Sequence, residues 1–409
     1  QQVKKNSFVK KIAYILIGLF VSLSVMAQSG SPASRFGYGE INDNIPGEYR
    51  AMGGVLTGMR SNHAINPSQP ASYTACDSLS FMFDVAVGIG WTRYTDSYGT
   101  KNKATGSLEY VTLQFPIWKR WIAFSAGITP YTQVDYDFTQ SGTTADGLYD
   151  YSVNYHGKGG LSQVYAGLSF NVLDWFAVGA NFYYLFGKVE NYTTLQFAAT
   201  GVTNSEILRY MDMRACRTKV GAQLFHTFAK KHNITLGATF DPKLKLGGDY
   251  LVTETYSLDT AVTSTGSEMP MAWSVGASYV WDNRLTLAAD YTRQEWADAY
   301  YFGQKGFLNN RQKISFGGQY QHNMFSPKYA ERMIWRVGAS VMNSYTKGSS
   351  WQDFSVSMGF GFPLRTVATV LNTTFEYGRK KSLSGMEEHN FKLTIDVAVN
   401  EQWFHKRKL

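Results

Sequence analysis

The stretch Phe391-Lys-Leu-Thr-Ile-Asp-Val-Ala-Val-Asn400 decides the fold, because apolar residues alternate in it with mostly polar ones. The odd-numbered positions are Phe, Leu, Ile, Val and Val, whereas the even-numbered positions include Lys392 and Asp396. Successive side chains of a strand point to opposite faces, so one face would be wholly apolar and the other would carry charge. Such a strand can place one face against lipid and the other in a wet interior.

The same alternation recurs along the chain, for example over residues 164–172, 273–279 and 354–362. The sequence therefore predicts an all-β protein, a transmembrane antiparallel β-barrel of about 14 strands. The predicted strands begin near Leu79, Thr105, Trp121, Leu161, Trp175, Ile207, His232, Met269, Arg284, Arg311, Arg332, Trp351, Thr366 and His389. Short turns alternate with mostly longer loops between them. This indicates a cell outer membrane of the Gram-negative type, with both termini in the periplasm.

The composition agrees with a wall that faces lipid. Of the 409 residues, 15% are aromatic and only 17% are charged, which is unusual for a surface that faces water on all sides. The net charge of +8 comes largely from lysines at positions 4, 5, 10 and 11 and from the basic residues 406–408. Because no basic stripe remains in the barrel itself, we expect no nucleic-acid partner.

The first 27 residues have the pattern of a secretory signal peptide. Four lysines precede a 14-residue apolar run from Ile12 to Val25, and Val25-Met26-Ala27 offers a cleavage site after Ala27. The run is too short for a membrane-spanning helix, which needs about 20 residues. We therefore expect a signal peptide over residues 1–27.

Residues 28–78 precede the first strand and contain much Gly, Pro and Asn. We expect them to form an N-terminal plug, or hatch, inside the barrel lumen, where inward polar side chains can satisfy their backbone groups. The alternation places Asp290, Arg336, Lys392 and Asp396 on the inward face, and we expect these charges to pair with one another or with the plug. A periplasmic tail is the alternative. The transmembrane barrel would then cover residues 79–404, followed by a basic periplasmic tail over residues 405–409.

Several motifs resemble the FadL/TodX-type family of outer-membrane transporters of hydrophobic compounds. The first is Arg50-Ala-Met-Gly-Gly54, which is followed by Asn66-Pro-Ser-Gln-Pro-Ala71 shortly before the first strand. Residues 157–165, 179–181 and 184–187 are similar to the middle of the family, and residues 400–404 to its last strand. The family's compact Asn-Pro-Ala hatch motif is stretched here by three residues, which puts the gating detail in doubt.

The resemblance implies a fourteen-stranded barrel with a hatch, in which an inward kink of the third strand opens a lateral exit. It implies passive uptake of hydrophobic, fatty-acid-like small molecules, with outer-membrane lipid and a hydrophobic ligand as partners. The candidate gate and passage residues are Gly127, Pro130, Asn66, Pro67, Pro70, Ala71, Tyr165, Tyr183, Leu185 and Phe225.

Pro130 has a physical consequence that does not depend on the resemblance. Proline cannot donate a ladder hydrogen bond, and Gly127 nearby contributes no side-chain packing, so a bulge or gap is expected in the third strand. A purely structural bulge without a passage is the alternative interpretation.

A second hypothesis is a barrel subunit of an outer-membrane secretion or barrel-assembly complex that acts through other outer-membrane proteins. The apolar outer wall would look the same in sequence for either role. We do not expect an enzyme, because the seven histidines show no catalytic spacing. No cofactor and no metal site are expected either.

Overall fold

A computed structural model describes residues 31–96, 99–199, 204–254, 266–301, 303–346, 353–364, 369–381 and 386–402. The predicted signal peptide and the predicted basic tail lie outside these residues. The helical elements are short: α1 is Gly47–Arg50, α2 is Tyr329–Arg332, and 3-10 turns form at Pro32–Arg35, Pro70–Ala75 and Trp296–Asp298. Among the described residues, no helix has both the length and the apolar character that a membrane crossing requires.

Strands make up most of the chain, and all of them belong to one sheet. They are β1 (Glu40–Ile41), β2 (Ser80–Asp96), β3 (Gly99–Trp118), β4 (Ile122–Thr143), β5 (Asp150–Leu173), β6 (Phe176–Phe197), β7 (Ser205–Phe228), β8 (His232–Asp241), β9 (Leu244–Glu254), β10 (Ser267–Met269), β11 (Ala272–Trp281), β12 (Leu285–Gln294), β13 (Arg311–Gln321), β14 (Ile334–Met342), β15 (Asp353–Pro363), β16 (Val370–Lys381) and β17 (Glu387–Gln402).

These seventeen ranges form fourteen wall strands. β8 and β9 both pair with β7 and together form one wall strand, which is interrupted at Pro242. β10 and β11 form another wall strand, which is interrupted at Pro270. The two-residue β1 pairs only with β4. The sheet closes because β17 pairs with β2 from Glu387↔Thr95 to Gln402↔Ser80. The predicted fourteen-stranded antiparallel barrel is therefore confirmed.

The two faces of the wall follow the predicted alternation. In β5, Val164, Leu168 and Val172 point outward and are 39–53% exposed. Their neighbours Gln163 and Tyr165 are at most 2% exposed. Apolar side chains that would be unfavourable in water face the hydrocarbon, and the polar ones face the lumen.

The wall is uneven in height. β4 to β7 are 22–24 residues long, whereas β11 to β15 have 9–11 residues. A membrane-spanning strand needs only about 9–11 residues, so β4 to β7 continue past the apolar band. Most of the region from Gln140 to Gly160, expected to be a loop, forms the upper parts of β4 and β5. The polar outward residues His156 and Lys158 explain why the sequence resembles a loop there.

Candidate functional site

The N-terminal segment, defined here as residues 31–78, turns sharply on a pair of glycines after α1. The Gly54 amide donates to the Tyr49 carbonyl at 2.8 Å, and the Gly53 amide donates to the Arg50 carbonyl at 3.2 Å. Gly53 and Gly54 have φ angles of +72° and +79°, which glycine adopts without a steric penalty. The Arg50–Gly54 motif is therefore a helix end that reverses the chain.

This turn lies directly against glycines of the barrel wall. A Cβ atom on Gly317 of β13 would clash with the backbone of Met52, and one on Gly338 of β14 would clash with Met52 and Gly53. The wall and the segment can approach this closely only because Gly317 and Gly338 carry no side chain. The contact fixes the position of the turn inside the lumen.

Buried ion pairs join the N-terminal segment to the wall on the side of β13, β14 and β3. Glu48 accepts from Arg336 at 3.1 Å, and both side chains are at most 8% exposed. Arg50 pairs with Glu109 at 2.9 Å. Asp43 also pairs with the wall, because its carboxylate accepts from Arg311 at 2.6 Å and from Lys313 at 2.9 Å.

The Asp290 side chain of β12 holds the backbone of the same segment. Its carboxylate accepts hydrogen bonds from the amides of Leu56, Thr57 (2.6 Å) and Gly58 (3.3 Å). Asp290 is 6% exposed, so these three amides are its compensation for burial. The inward charges Asp290, Arg336 and Lys392 therefore bind protein groups, as the alternation in sequence predicted for them.

The predicted hatch residues meet the predicted inward tyrosines. The Pro67 carbonyl accepts from the Tyr183 hydroxyl at 2.8 Å and from the Asn181 amide at 2.8 Å. The Tyr183 ring lies 5.7 Å from the Tyr165 ring, and Asn66 donates to the Leu56 carbonyl at 2.8 Å. Tyr165 and Tyr183 therefore pack around the N-terminal segment.

Three further predicted residues lie near the end of the barrel that carries the short turns. Pro70 and Ala71 open the 3-10 turn Pro70–Ala75, whose backbone packs against Gly179 of β6. The Ala71 carbonyl accepts from Ser169 at 3.1 Å. Phe225 lies under the Arg60 guanidinium, whose carbon is 4.0 Å from the ring centre.

An apolar cluster fills the lumen toward the end that carries the long loops. Tyr38 of the N-terminal segment and Trp296 are both fully buried, with ring centres 5.6 Å apart. The Tyr345 ring packs against Trp296 at a tilt of 40° with ring centres 5.0 Å apart, and its hydroxyl donates to the Gly39 carbonyl. The predicted passage residue Leu185 is 1% exposed within this cluster. These rings pack on one another and form a core inside the lumen.

The third wall strand, β4, leaves its neighbour β3 halfway along. Among the described residues, the two strands pair only from Trp118↔Ile122 to Val111↔Ile128. Beyond this point β4 pairs with β1 inside the lumen, at Gln133↔Glu40. The register against β5 also shifts between Pro130 and Thr132. The bulge and gap expected around Gly127 and Pro130 are therefore both present.

A cavity of about 960 Å³ lies where β4 bends inward. Its lining includes the carboxylates of Glu40, Glu109 and Glu376 and the cations of Arg50 and Lys392. The wall on the β4 side contributes Leu108, Ile128 and Pro130. The same part of the lining also includes Thr105, Thr129 and Gln133, so the cavity is largely polar up to the gap in the wall.

Sequence reasoning missed the residues of the N-terminal segment that bind the wall. The inward charges of the strands were identifiable from alternation, but Asp43 and Glu48 lie in a stretch without a repeating pattern. Arg50 was read only as part of a family motif. The available signal was the presence of seven charged residues in a Gly- and Pro-rich segment that was expected inside the lumen, because a charge buried there has to be paired.

Burial and pairing shift the pKa values of groups in this segment. Burial alone would raise the pKa of Asp43, but the charges of Arg311 and Lys313 outweigh it and hold the pKa well below its usual range. Burial lowers the pKa of His63 and raises the pKa of the Cys76 thiol to about 11. At neutral pH the Asp43 pair is therefore fully charged, and Cys76 is protonated.

Comparisons with known proteins agree with this geometry. A family model described as BamG matches residues 8–409 of the chain. No curated protein matches it.

Several solved structures share the fold. A FadL homologue of Pseudomonas aeruginosa has a TM-score of 0.56 and 13% identity, with 90% of this chain and 100% of that chain covered. The toluene transporter TbuX of Ralstonia pickettii has a TM-score of 0.57 and 14% identity, covering 88% and 98%. The toluene transporter TodX of Pseudomonas putida has a TM-score of 0.59 and 15% identity, covering 89% and 99%. The FadL/TodX resemblance is thus confirmed at the level of fold, and the chain is an outer-membrane β-barrel.

Proposed function

This chain belongs to the BamG family, and from that premise we propose that it is a plugged outer-membrane barrel acting through protein partners, as a subunit of a barrel-assembly or secretion complex. In this proposal residues 28–78 form the plug, and both termini face the periplasm.

One observation supports this proposal above the others: the N-terminal segment is fastened to the wall around much of the lumen. Glu48, Asp43 and Arg50 each form a buried ion pair with a different wall strand or pair of strands. Removing one partner of such a pair typically costs about 3–5 kcal/mol, because a charge is left buried without compensation. A segment held in this way would leave the lumen only at a large energetic cost.

The test is to isolate the protein from gently solubilised membranes and to deplete it in cells. We expect other outer-membrane proteins to purify with it at fixed stoichiometry, and the amounts of folded outer-membrane barrels to fall on depletion. A monodisperse single chain, whose depletion leaves every other barrel unchanged, would contradict the proposal. Depletion of an unrelated outer-membrane barrel is the control.

A second candidate function is the passive uptake of hydrophobic, fatty-acid-like small molecules with a lateral exit near the kinked third strand. The end of β3–β4 pairing at Ile128 favours it, because a gap in a barrel wall is where an apolar molecule could leave for the bilayer. Two structural neighbours are titled toluene transporters. Against it, the cavity beside the gap is lined by charged residues.

Replacement of Pro130 tests this candidate. The Pro130→Val variant can donate the missing ladder hydrogen bond, so we expect a straighter strand and slower uptake of a radiolabelled fatty acid. Pro363→Val at the end of β15 is the matched control. Unchanged uptake in a folded Pro130→Val barrel would contradict a lateral exit near the third strand.

The proposed processing is tested separately. A signal peptide over residues 1–27 predicts that Gln28 is the first residue of the protein recovered from the outer membrane. Mass spectrometry of the intact mature chain measures this directly, and a mass that includes the lysine-rich leader would contradict it.

A further inference from the structure

One strand edge of the barrel wall stays open where β4 bends into the lumen. β3 pairs with β4 only as far as Val111↔Ile128, so residues 105–110 of β3 have no ladder partner on that side among the described residues. On their other side they pair with β2. Because the backbone groups of a strand point alternately to its two neighbours, about every second residue of this stretch presents its amide and carbonyl to the gap.

The opposite edge of the gap, on β4, is covered by the chain itself. β1 of the N-terminal segment pairs with β4 at Glu40↔Gln133, and the Asn42 amide donates to the Tyr131 carbonyl at 2.9 Å. Pro130 has no N–H that would need a partner. The chain therefore satisfies the edge of β4 internally and leaves the edge of β3 open.

The open edge lies at the depth of the hydrocarbon. Gly106 pairs with Ile89 of β2, whose side chain points outward and is 53% exposed. Lysines protect open strand edges in many proteins, but Lys101 and Lys103 lie nearer the end of β3 that adjoins the preceding loop. At hydrocarbon depth, unpaired backbone groups are either covered by protein or line a water-filled cavity. The edge of β3 therefore has backbone capacity that a second chain can use.

The surroundings of the edge differ on its two sides. Toward the lumen, residues 105–109 line the cavity of about 960 Å³, whose other lining residues carry charges of both signs, among them Glu376 and Lys392. Toward the bilayer, Ile89 and Ile128 are apolar and exposed. A chain that pairs with this edge therefore needs polar side chains toward the cavity and apolar ones toward lipid, in alternation.

We propose that the open edge of β3 is the docking site for an extended strand of another outer-membrane protein. The strand adds to the sheet by backbone hydrogen bonds with residues 105–110, and its side chains alternate between lipid and the polar cavity. The partner is thus a membrane β-protein with an unpaired strand of its own. This inference rests on the proposed action through protein partners and names the surface that makes the contact.

A peptide with the sequence of residues 391–400 is the probe, because it has the alternation of an outer-membrane strand. It carries a photoreactive diazirine and is offered to the full mature barrel in lipid nanodiscs. We expect saturable binding and crosslinks that mass spectrometry maps to residues 105–110. The control peptide has the same side chains but N-methyl groups on two adjacent central residues, which blocks both of its edges. It should bind at least about tenfold more weakly, because backbone hydrogen bonds are lost.

Two variants of the barrel locate the contact. Adjacent residues present their amides to opposite edges, so one of Gly106→Pro and Ser107→Pro removes an amide from the open edge and the other removes one from the β2–β3 ladder. We expect one variant to keep the stability of the unchanged protein and to bind the peptide at least about fivefold more weakly. The other should lose stability. Heat-modifiable migration on gels verifies folding, and should neither variant fold, the crosslink map and the methylated peptide decide.

Three outcomes would overturn the proposal. Equal binding of the two peptides would show that apolar partition holds the peptide without backbone pairing. Crosslinks concentrated outside residues 105–110 would place the contact elsewhere. The absence of saturable binding would show that water or another part of this chain already satisfies the edge. If partner proteins still purify with the barrel in any of these cases, the proposed function stands and only this docking surface is wrong.

Discussion

The lumen of this barrel is filled by two regions of opposite character. The apolar cluster around Tyr38, Trp296 and Tyr345 is buried and closely packed. The charged region around Arg50, Glu109 and Lys392 encloses a cavity of about 960 Å³. Aromatic rings pack against one another and fill the space between them. Paired charged side chains each need several partners around them, and this arrangement leaves a cavity between the side chains. The apolar region therefore fills its part of the lumen, whereas the charged region leaves a cavity beside the third wall strand.

The largest effect is expected from emptying the apolar region. Trp296→Ala removes the largest fully buried side chain and should lower the free energy of unfolding by about 3–5 kcal/mol. Trp335→Ala, which removes a wall tryptophan that is 52% exposed, should have a much smaller effect. Denaturant-induced unfolding in lipid vesicles measures both. Equal losses would show that the cluster is not a packed core.

A somewhat smaller effect is expected from breaking one ion pair between the N-terminal segment and the wall. Glu48→Gln leaves Arg336 buried without its anion, so the free energy of unfolding should fall by about 3 kcal/mol. Glu331→Gln, which breaks an exposed pair with Lys328, should change it by under about 1 kcal/mol. The same unfolding measurement applies. A neutral Glu48→Gln would show that the N-terminal segment is not fastened by this pair.

Two adjacent glycines of β13 test the close contact between the N-terminal segment and the wall. Gly317→Ala should cost about 1–3 kcal/mol, because the new methyl group clashes with the backbone of Met52. Gly318→Ala should be nearly neutral, since its Cβ would lie 3.5 Å from the nearest atom, on Leu287. Protease cleavage of the N-terminal segment in folded barrels should increase only for Gly317→Ala. Equal cleavage of both variants would contradict the close contact between segment and wall.

The smallest effect concerns pH. Burial lowers the folded-state pKa of His63, while Glu48 and Asp77 oppose this shift and Arg336 adds to it. Below the unfolded pKa, of about 6.5, the unfolded chain binds a proton that the folded chain does not, so stability is lost as the pH falls. Lowering the pH from about 7.5 to about 5.5 should destabilise the protein less after His63→Gln than before it. An identical pH dependence in both would show that His63 does not contribute.

The wall was predictable from sequence, whereas the contents of the lumen were only partly so. Alternation located all fourteen strands, because each strand must place one face in lipid and the other in the lumen. It also identified Asp290 and Arg336 as inward. The upper parts of β4 and β5 were missed, since outward residues such as Lys158 lose the apolar pattern once the strands leave the membrane.

The path of the N-terminal segment could not be read from sequence for a different physical reason. It has almost no regular secondary structure, so no period marks which of its residues touch the wall. Pro67 and Ala71 came from a family motif and do meet the wall at Tyr183 and Ser169, whereas Asn66 donates to Leu56 within the segment. Glu48 and Asp43 find partners hundreds of residues away in sequence, and nothing local specifies such pairs.

Single-channel recording in planar bilayers tests the central claim, a barrel closed by its own N-terminal segment, most directly. The purified mature protein, inserted in concentrated KCl, should give no steady open-pore conductance. A variant without the segment should conduct continuously. A steady conductance from the intact protein would contradict the account, because ions could then cross a lumen that the segment and the apolar cluster are said to fill.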